Sequence, residues 1–351
     1  MKMDLASESA RPLHYLRTPD SAARRRYPDG QDDDRGYFGY GSPFQIDADT
    51  KLLLSKAIRR LPYKTQVYPN GLNKHVRSRL SHEFEVMSPA VSLAYRLGLN
   101  ADLVRAIALA HDIGHTPFGH LGESFITRES GKIFRHEVFG VVIAQEVEPM
   151  NLTHQVLDGI RYHSRGKGEI AVCASTTPEA NIVMLCDKIG YIWADINDIF
   201  FRVRTIDIEE YPGFQDQLYY FGRNQRQRVA YCVEHISIES EDKGEVSFSD
   251  CEAARNFREI KERMYKEVYP RIIRDKAFEV MEKVYGFLLE SEACKGIDPF
   301  LIIALMTDID CLYLFEKQAI CDRDLGFCSV GELLPALRGR VIDWQKPDLE
   351  W

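Results

Sequence analysis

Leu103, Val104, Ile107, Ala108 and Ala110 recur at helical spacing behind an N-cap asparagine, Asn100. The helix they define runs straight into His111-Asp112-Ile113-Gly114-His115-Thr116-Pro117-Phe118-Gly119-His120-Leu121-Gly122-Glu123. Three histidines and two carboxylates within thirteen residues do not belong in an apolar interior without partners. Any fold built around this helix therefore has to open a polar cleft at its end. Eight of the ten histidines lie between His75 and His163, so the imidazoles are concentrated rather than scattered.

The remaining punctuation is also helical. Thr177-Pro178-Glu179 supplies a capping hydroxyl, a proline at the first position and an acid in the first turn, which predicts a helix to about Phe201. Periodicity predicts further helices over 79–97, kinked at Pro89, and over 137–148 and 153–163. Two long periodic stretches cover 252–290 and 298–320, and a looser helix over 49–61 is stopped by Pro62. Gly114 reads as the residue that closes the Asn100 helix, leaving His111 and Asp112 on its last turn. Convincing alternation of period two is scarce, so the fold class is mainly α. Residues 1–41, which include Arg24-Arg25-Arg26 and Asp32-Asp33-Asp34, read as an N-terminal arm, flexible or irregular or engaged in oligomer contacts. Residues 42–205 form the core, and a mostly helical region over 206–351 packs on it. A basic loop, Ser164-Arg165-Gly166-Lys167-Gly168, lies within the core stretch.

A chain of 351 residues with 45% hydrophobic content can bury a sizeable core without covalent staples. Its eight cysteines form no C-x-x-C pair, which suits reduced thiols and argues against a zinc ribbon. No apolar run approaches the roughly 20 residues that span a bilayer, and no basic-then-apolar leader opens the chain, so a soluble, cytoplasmic protein with no membrane partner is expected. A net charge of −8 argues against a dedicated nucleic-acid partner and leaves room for a local basic pocket.

His82, the His111-Asp112 pair and Asp187, all on predicted helices, offer two nitrogens and two carboxylates. That donor set suits a divalent ion such as Mn, Fe, Co, Ni or Zn with positions open to water and phosphate oxygens. Taken singly, each is an ordinary hydrogen-bonded helix residue. Adjacent helical residues point about 100° apart, and frayed geometry at a helix end lets both His111 and Asp112 reach one ion. Asp187, Tyr191 and Asp195 recur every four residues, with Lys188 at the border of their face. A metal ligand, a phosphate-binding ammonium and a Tyr/Asp pair for a sugar hydroxyl thus follow one another along a single cleft. Arg79, one turn before His82, is suited to neutralising a phosphate.

The H…HD…D spacing of these residues resembles the HD superfamily of metal-dependent phosphohydrolases, which implies an HD-domain helical bundle with additional C-terminal helices. Ser42-Pro43-Phe44-Gln45, Ile58-Arg59-Arg60-Leu61, Lys64-Thr65-Gln66-Val67-Tyr68-Pro69, Arg77 to His82, the His111–Glu123 block and Met306-Thr307-Asp308 narrow the resemblance to the deoxynucleoside triphosphate triphosphohydrolase (dGTPase-like) family. The resemblance implies that His120 and Glu123 transfer protons, that His115 lines the site with them, that His136 lies near the phosphates and that Gln66 checks the deoxyribose. His115 and His163 have an alternative reading as props for their neighbours. The D-K-x-x-Y-x-x-x-D series is similar to that of the vertebrate branch, whereas many bacterial dGTPases carry a second acid where Lys188 stands, so strict guanine preference is not assumed.

By the same resemblance, a dNTP is hydrolysed at the α-phosphorus to deoxynucleoside and intact triphosphate, with a resident divalent metal and a second Mg bound with substrate. It also implies a homo-oligomer with a nucleotide effector. The alternatives are an HD-type nucleoside monophosphate phosphatase or phosphodiesterase, and a dNTP-sensing regulator without turnover.

Overall fold

The computed structural model describes residues 11–27, 41–68, 73–164, 170–272 and 276–351. The acidic run at 32–34, Pro69 and the basic loop at 165–168 lie outside the described residues. Among the described residues there are helices and two isolated bridges, Arg25 with Thr153 and Thr65 with Ser78, and no strand longer than that. The mainly α class holds.

Twelve helices carry the architecture: α1 (Arg79–Leu97), α2 (Ala101–Ala110), α3 (His120–Ser130), α4 (His136–Val142), α5 (His154–Tyr162), α6 (Pro178–Ile196), α7 (Phe214–Phe221), α8 (Gln225–Lys243), α9 (Glu252–Arg263), α10 (Lys276–Glu290), α11 (Pro299–Leu305) and α12 (Asp308–Glu316). At the centre, α1, α2 and α6 pack against one another, and α8 closes over α1 and α6. A pair formed by α4 and α5 covers the other side of α2, while α10 and α11 pack on α3.

α1 starts at a capping box in which Ser78 and Ser81 exchange side-chain bonds with each other's backbone, and it ends at Gly98, whose φ of 81° is left-handed. It remains one helix through Pro89. Its buried stripe runs Arg79, His82, Glu83, Val86, Ala90, Leu93, Ala94, Leu97. The same face is apolar at its C-terminal end and chemically active at its N-terminal end.

α2 is capped by Asn100 Oδ1, which accepts from the amides of Asp102 and Leu103, both at 3.2 Å. The helix ends at Ala110, so His111 caps it and Asp112 lies in the following turn instead of within the last helical turn. Gly114 does not close the helix through a left-handed cap. A Cβ there would run into the Gly140 amide and the His136 carbonyl, so the glycine is what lets this turn press against α4. Phe118 and Gly119 carry the left-handed backbone in this block, with φ of 57° and 58°, and redirect the chain into α3.

Longer periodic stretches prove to be interrupted. The 49–61 region divides between two short helical pieces, Asp47–Leu52 and Lys56–Arg60, because the Ser55 side chain accepts from the Ile58 amide and starts a new helix; Pro62 sits inside the turn that follows. The 252–290 stretch separates into α9 and α10 around Pro270, and 298–320 separates into α11 and α12 where Thr307 caps a new start with Asp310. In the N-terminal segment, residues 11–27 are irregular yet fixed to the body. Leu13 is fully buried with its amide on the Leu97 carbonyl, Thr18 donates twice to Glu179, and Arg25 pairs with the buried Asp47 at 2.6 Å.

Candidate active site

His82 from α1, His111 and Asp112 from the end of α2, and Asp187 from α6 converge because those three helices share one core. His82 Nε2 lies 3.1 Å from Asp187 Oδ1 and 3.9 Å from Asp112 Oδ2. His111 Nε2 lies 3.8 Å from a carboxylate oxygen of each. The far nitrogen of His111, Nδ1, donates to the Ala108 carbonyl at 2.8 Å and lies 2.7 Å from Glu83. Against burial, Glu83 and Asp112 push His111 up to about 10, so its inward Nε2, buried without a hydrogen-bond partner, holds a proton that a metal would replace. Despite burial, Lys188 and His82 hold Asp187 well below the usual carboxylate range, and His115 and His111 do the same for Asp112. Two ionised carboxylates and two inward imidazole nitrogens can hold a divalent metal.

Next to this set stands a second wall built by the His111–Glu123 turn and the start of α4. Glu123 Oε1 is shared by three imidazoles: His136 Nδ1 at 2.9 Å, His115 Nδ1 at 3.0 Å and His120 Nδ1 at 3.3 Å. Although burial works the other way, His136 and His120 hold Glu123 well below the ordinary range. His115 is stacked on His136, with centroids 3.7 Å apart, and its Nε2 lies 3.2 Å from Asp112. Burial, followed by the charge of Arg79, pushes His115 down to about 3. A neutral His115 has a single N–H, which its Nε2 can offer to Asp112, while its Nδ1 beside Glu123 has no hydrogen-bond partner. His120 is the exposed member of the cluster, its side chain 69% accessible.

Both walls face one cavity of about 860 Å³, within the range of small-molecule sites. Gln66, Arg79, His82, Asp112, His115, His120, Glu123, His136, Asp187, Lys188, Tyr191 and Asp195 all line it, so nearly every residue singled out from the sequence is brought together; His111 stands immediately behind. Gln66 Oε1 is buried there without a protein partner. Asp187, Lys188, Tyr191 and Asp195 share the cavity face of α6, as the four-residue spacing predicts.

The polar groups on that face are already engaged. Lys188 Nζ donates to Asp187 Oδ2 at 2.8 Å, and Arg79 donates to Asp112 Oδ2 at 2.6 Å. Tyr191 and Tyr265 pair through their hydroxyls at 3.0 Å, and Asp195 accepts from Arg77 and, at 2.6 Å, from Tyr269. Arg77, Tyr265 and Tyr269 escaped the sequence reading, although Arg77 stood in the quoted Arg77-Ser78-Arg79 run. Glu83 was missed too, its only signal being adjacency to His82. Arg135 and Arg161 add cationic groups to the cavity of a chain whose net charge is −8.

The region is held from behind by α12. Asp308 accepts from the amides of Thr65 at 3.0 Å and Phe118 at 2.8 Å, and from the Thr65 hydroxyl. One buried carboxylate therefore ties the Gln66 segment to the left-handed turn before His120. This is the physical content of the Met306-Thr307-Asp308 motif. Lys64, also buried, donates to the carbonyls of His115 and Ala304, and burial pushes it down to about 7.

Residues 79–191 match the HD domain family model. The chain is similar to a deoxyguanosinetriphosphate triphosphohydrolase-like protein of Caldanaerobacter subterraneus, 35% identical over 277 residues that cover 78% of this chain and 74% of that one. A protein with the same description from Clostridium tetani is 32% identical over 260 residues, covering 71% and 73%. One from Rickettsia bellii is 38% identical over 184 residues, covering 45% and 47%.

Proposed function

The chain belongs to the deoxyguanosinetriphosphate triphosphohydrolase-like family of HD-domain proteins, and on that premise we propose that it hydrolyses deoxynucleoside triphosphates to a deoxynucleoside and intact triphosphate. The observation that carries this reading is the continuity of one cavity wall from the donor set at His82, Asp112 and Asp187 through Lys188 to Tyr191 and Asp195. Metal, phosphate and sugar contacts follow one another along it. His82, His111, Asp112 and Asp187 would hold a divalent ion, which would supply Lewis acidity toward the phosphate and lower the pKa of water.

The chain's own residues do the rest. Arg79 and Lys188, released from Asp112 and Asp187 as phosphate oxygens enter, offset the charge of the triphosphate, with His136 on the opposite wall. Water adds to the α-phosphorus with loss of a proton, which returns to His120 once the product leaves, and the P–O5′ bond breaks. His120, oriented by Glu123, delivers a proton to the departing 5′-oxygen, a role suited to the exposed imidazole of the cluster. His115 stays neutral and positions Asp112 through its Nε2. Tyr191 and Asp195, braced by Tyr265, Tyr269 and Arg77, set the depth of the sugar pocket. Gln66, with its unpartnered carbonyl oxygen, checks the deoxyribose.

Incubation of the Mn²⁺-loaded protein with each dNTP, singly and in pairs, is expected to release tripolyphosphate, read by ³¹P NMR. Orthophosphate or pyrophosphate as the product overturns the proposal. The same screen identifies the preferred base, and turnover of GTP equal to dGTP contradicts the sugar-pocket assignment.

A further inference from the structure

Among the described residues, four lysine and arginine side chains line the cavity, and they divide into two kinds. Arg79 and Lys188 are held by the carboxylates of Asp112 and Asp187 at 2.6 and 2.8 Å. Arg135, the residue before α4, and Arg161, on the last turn of α5, have no hydrogen-bond or ion-pair partner among the described residues. Glu137 lies 3.7 Å from His136 Nδ1 and pairs with neither. The Arg161 guanidinium lies 5.3 Å from the centroid of the Tyr162 ring, a contact that leaves its N–H edge open. The same two arginines also line a smaller pocket of about 240 Å³, with Ile133, Val138, Trp344 and Gln345. They therefore stand where the two hollows join. No residue of α6 lines the smaller one, so the arginine pair ends the cavity on the side of α4 and α5, while Tyr191 and Asp195 end it on α6.

A triphosphate chain is not uniformly charged. Its terminal phosphate has a second ionisation near about 6 and carries close to two charges at neutral pH, whereas each bridging phosphate carries about one. With the sugar at Tyr191 and Asp195 and the inner phosphates at Arg79 and Lys188, the free end of the chain comes to the side of α4 and α5. Planar guanidiniums suit a phosphate with several open oxygens, because each can offer parallel N–H bonds. We propose that Arg135 and Arg161 form a docking site for the terminal phosphate of the triphosphate chain, and that this pair sets a preference for triphosphates over diphosphates. A diphosphate also has a doubly charged end, but it stops one phosphate short of the pair. The site rests on the hydrolysis proposed above and supplies the group by which that activity tells the two chain lengths apart.

Two measurements test it. The metal-loaded, full-length protein is titrated by calorimetry with inorganic tripolyphosphate as its Mg²⁺ complex. Affinity is expected to fall about 10-fold or more in Arg135→Gln and in Arg161→Gln, as for the loss of a charge-assisted hydrogen bond. Lys132→Gln removes a neighbouring cation that does not line the cavity, and a change under about 2-fold is expected there. An equal loss in all three variants, or no loss in either arginine variant, overturns the inference, because only the general surface field is then at work. Kinetics then compare the dNTP of the preferred base with its dNDP, as substrate or as competitive inhibitor. The double arginine variant is expected to lose at least about 10-fold in kcat/KM for the dNTP, carried by KM, and under about 2-fold for the dNDP. A loss shared equally by both overturns the chain-length assignment. A wild type that turns over no dNTP yet binds tripolyphosphate through both arginines defeats the proposed activity and leaves the anion site standing. Turnover with arginine-independent binding does the reverse. Arginine-to-lysine variants, which keep the charge without the planar fork, replace any glutamine variant that circular dichroism shows unfolded, with a smaller loss in the same direction expected.

Discussion

The two walls of the cavity are built on different terms. The donor set at His82, His111 and Asp187 hangs on three long helices whose packing is shared by the central core, with each ligand set by helical register. Opposite it, His115 comes from a compact turn with left-handed backbone at Phe118 and Gly119, and His120 and Glu123 from the first turn of α3 that follows, clamped from outside by Asp308 and Lys64. One wall is built into the central core. The other is held by distant parts of the chain that reach in to it, and it shares a single carboxylate among three rings. On the proposed function, metal binding falls to the core wall and proton transfer to the wall held by outside supports.

The sharpest way to break this comparison is to remove one group from each wall. Asp187→Ala is expected to lose both bound metal and triphosphate release, whereas His120→Ala keeps its metal and loses about 10²- to 10⁴-fold in kcat. Equal metal loss in both variants contradicts the division of labour. A smaller effect probes the support of the metal wall. Glu83→Gln, which removes the buried carboxylate beside His111 Nδ1, is expected to weaken metal affinity roughly 10- to 100-fold while Ala108 still holds the ring, measured by competition with a chelator.

The smallest effect concerns the clamp on the other wall and appears in pH dependence. Burial pushes Lys64 down to about 7, whereas the unfolded chain titrates near the ordinary lysine value of about 10.4. Between those values the unfolded state binds more protons at this position. The Lys64 contribution to stability therefore rises with pH across that window, and it is lost as pH falls through about 7. Lys64→Met is expected to flatten that rise in urea midpoints measured from pH 7 to 10, while leaving the Asp308 bonds to Thr65 and Phe118 in place.

Legibility in the sequence follows the same division. The caps at Asn100 and Thr177 mark α2 and α6, periodicity alone marks α1, and the four-residue spacing of Asp187, Tyr191 and Asp195 puts them on one cavity face as the structure has them. Gly114 was legible as special, though for the wrong reason: a helix-closing glycine and a glycine admitting a close neighbour look alike in one dimension. The periodic stretches over 252–290 and 298–320 hide breaks at Pro270 and Thr307, because apolar periodicity on either side of a short interruption still sums to a helical pattern. Residues 11–27 look like a polar arm until Leu13, Thr18 and Arg25 find Leu97, Glu179 and Asp47.

By itself the sequence determined which side chains this protein brings to bear, and on which helical faces, since register along a helix is a local property of spacing. It also singled out His82, His111, Asp112 and Asp187 as candidate metal ligands, from their donor types and the H…HD…D resemblance. Only the tertiary structure decided how those groups are shared: that Glu123 answers to three imidazoles, that Asp195 is held by Arg77 and Tyr269, and that His163 meets His136 across Asp112. Such sharing depends on distances of a few ångströms between elements far apart in the chain, and no spacing rule within one helix carries that information.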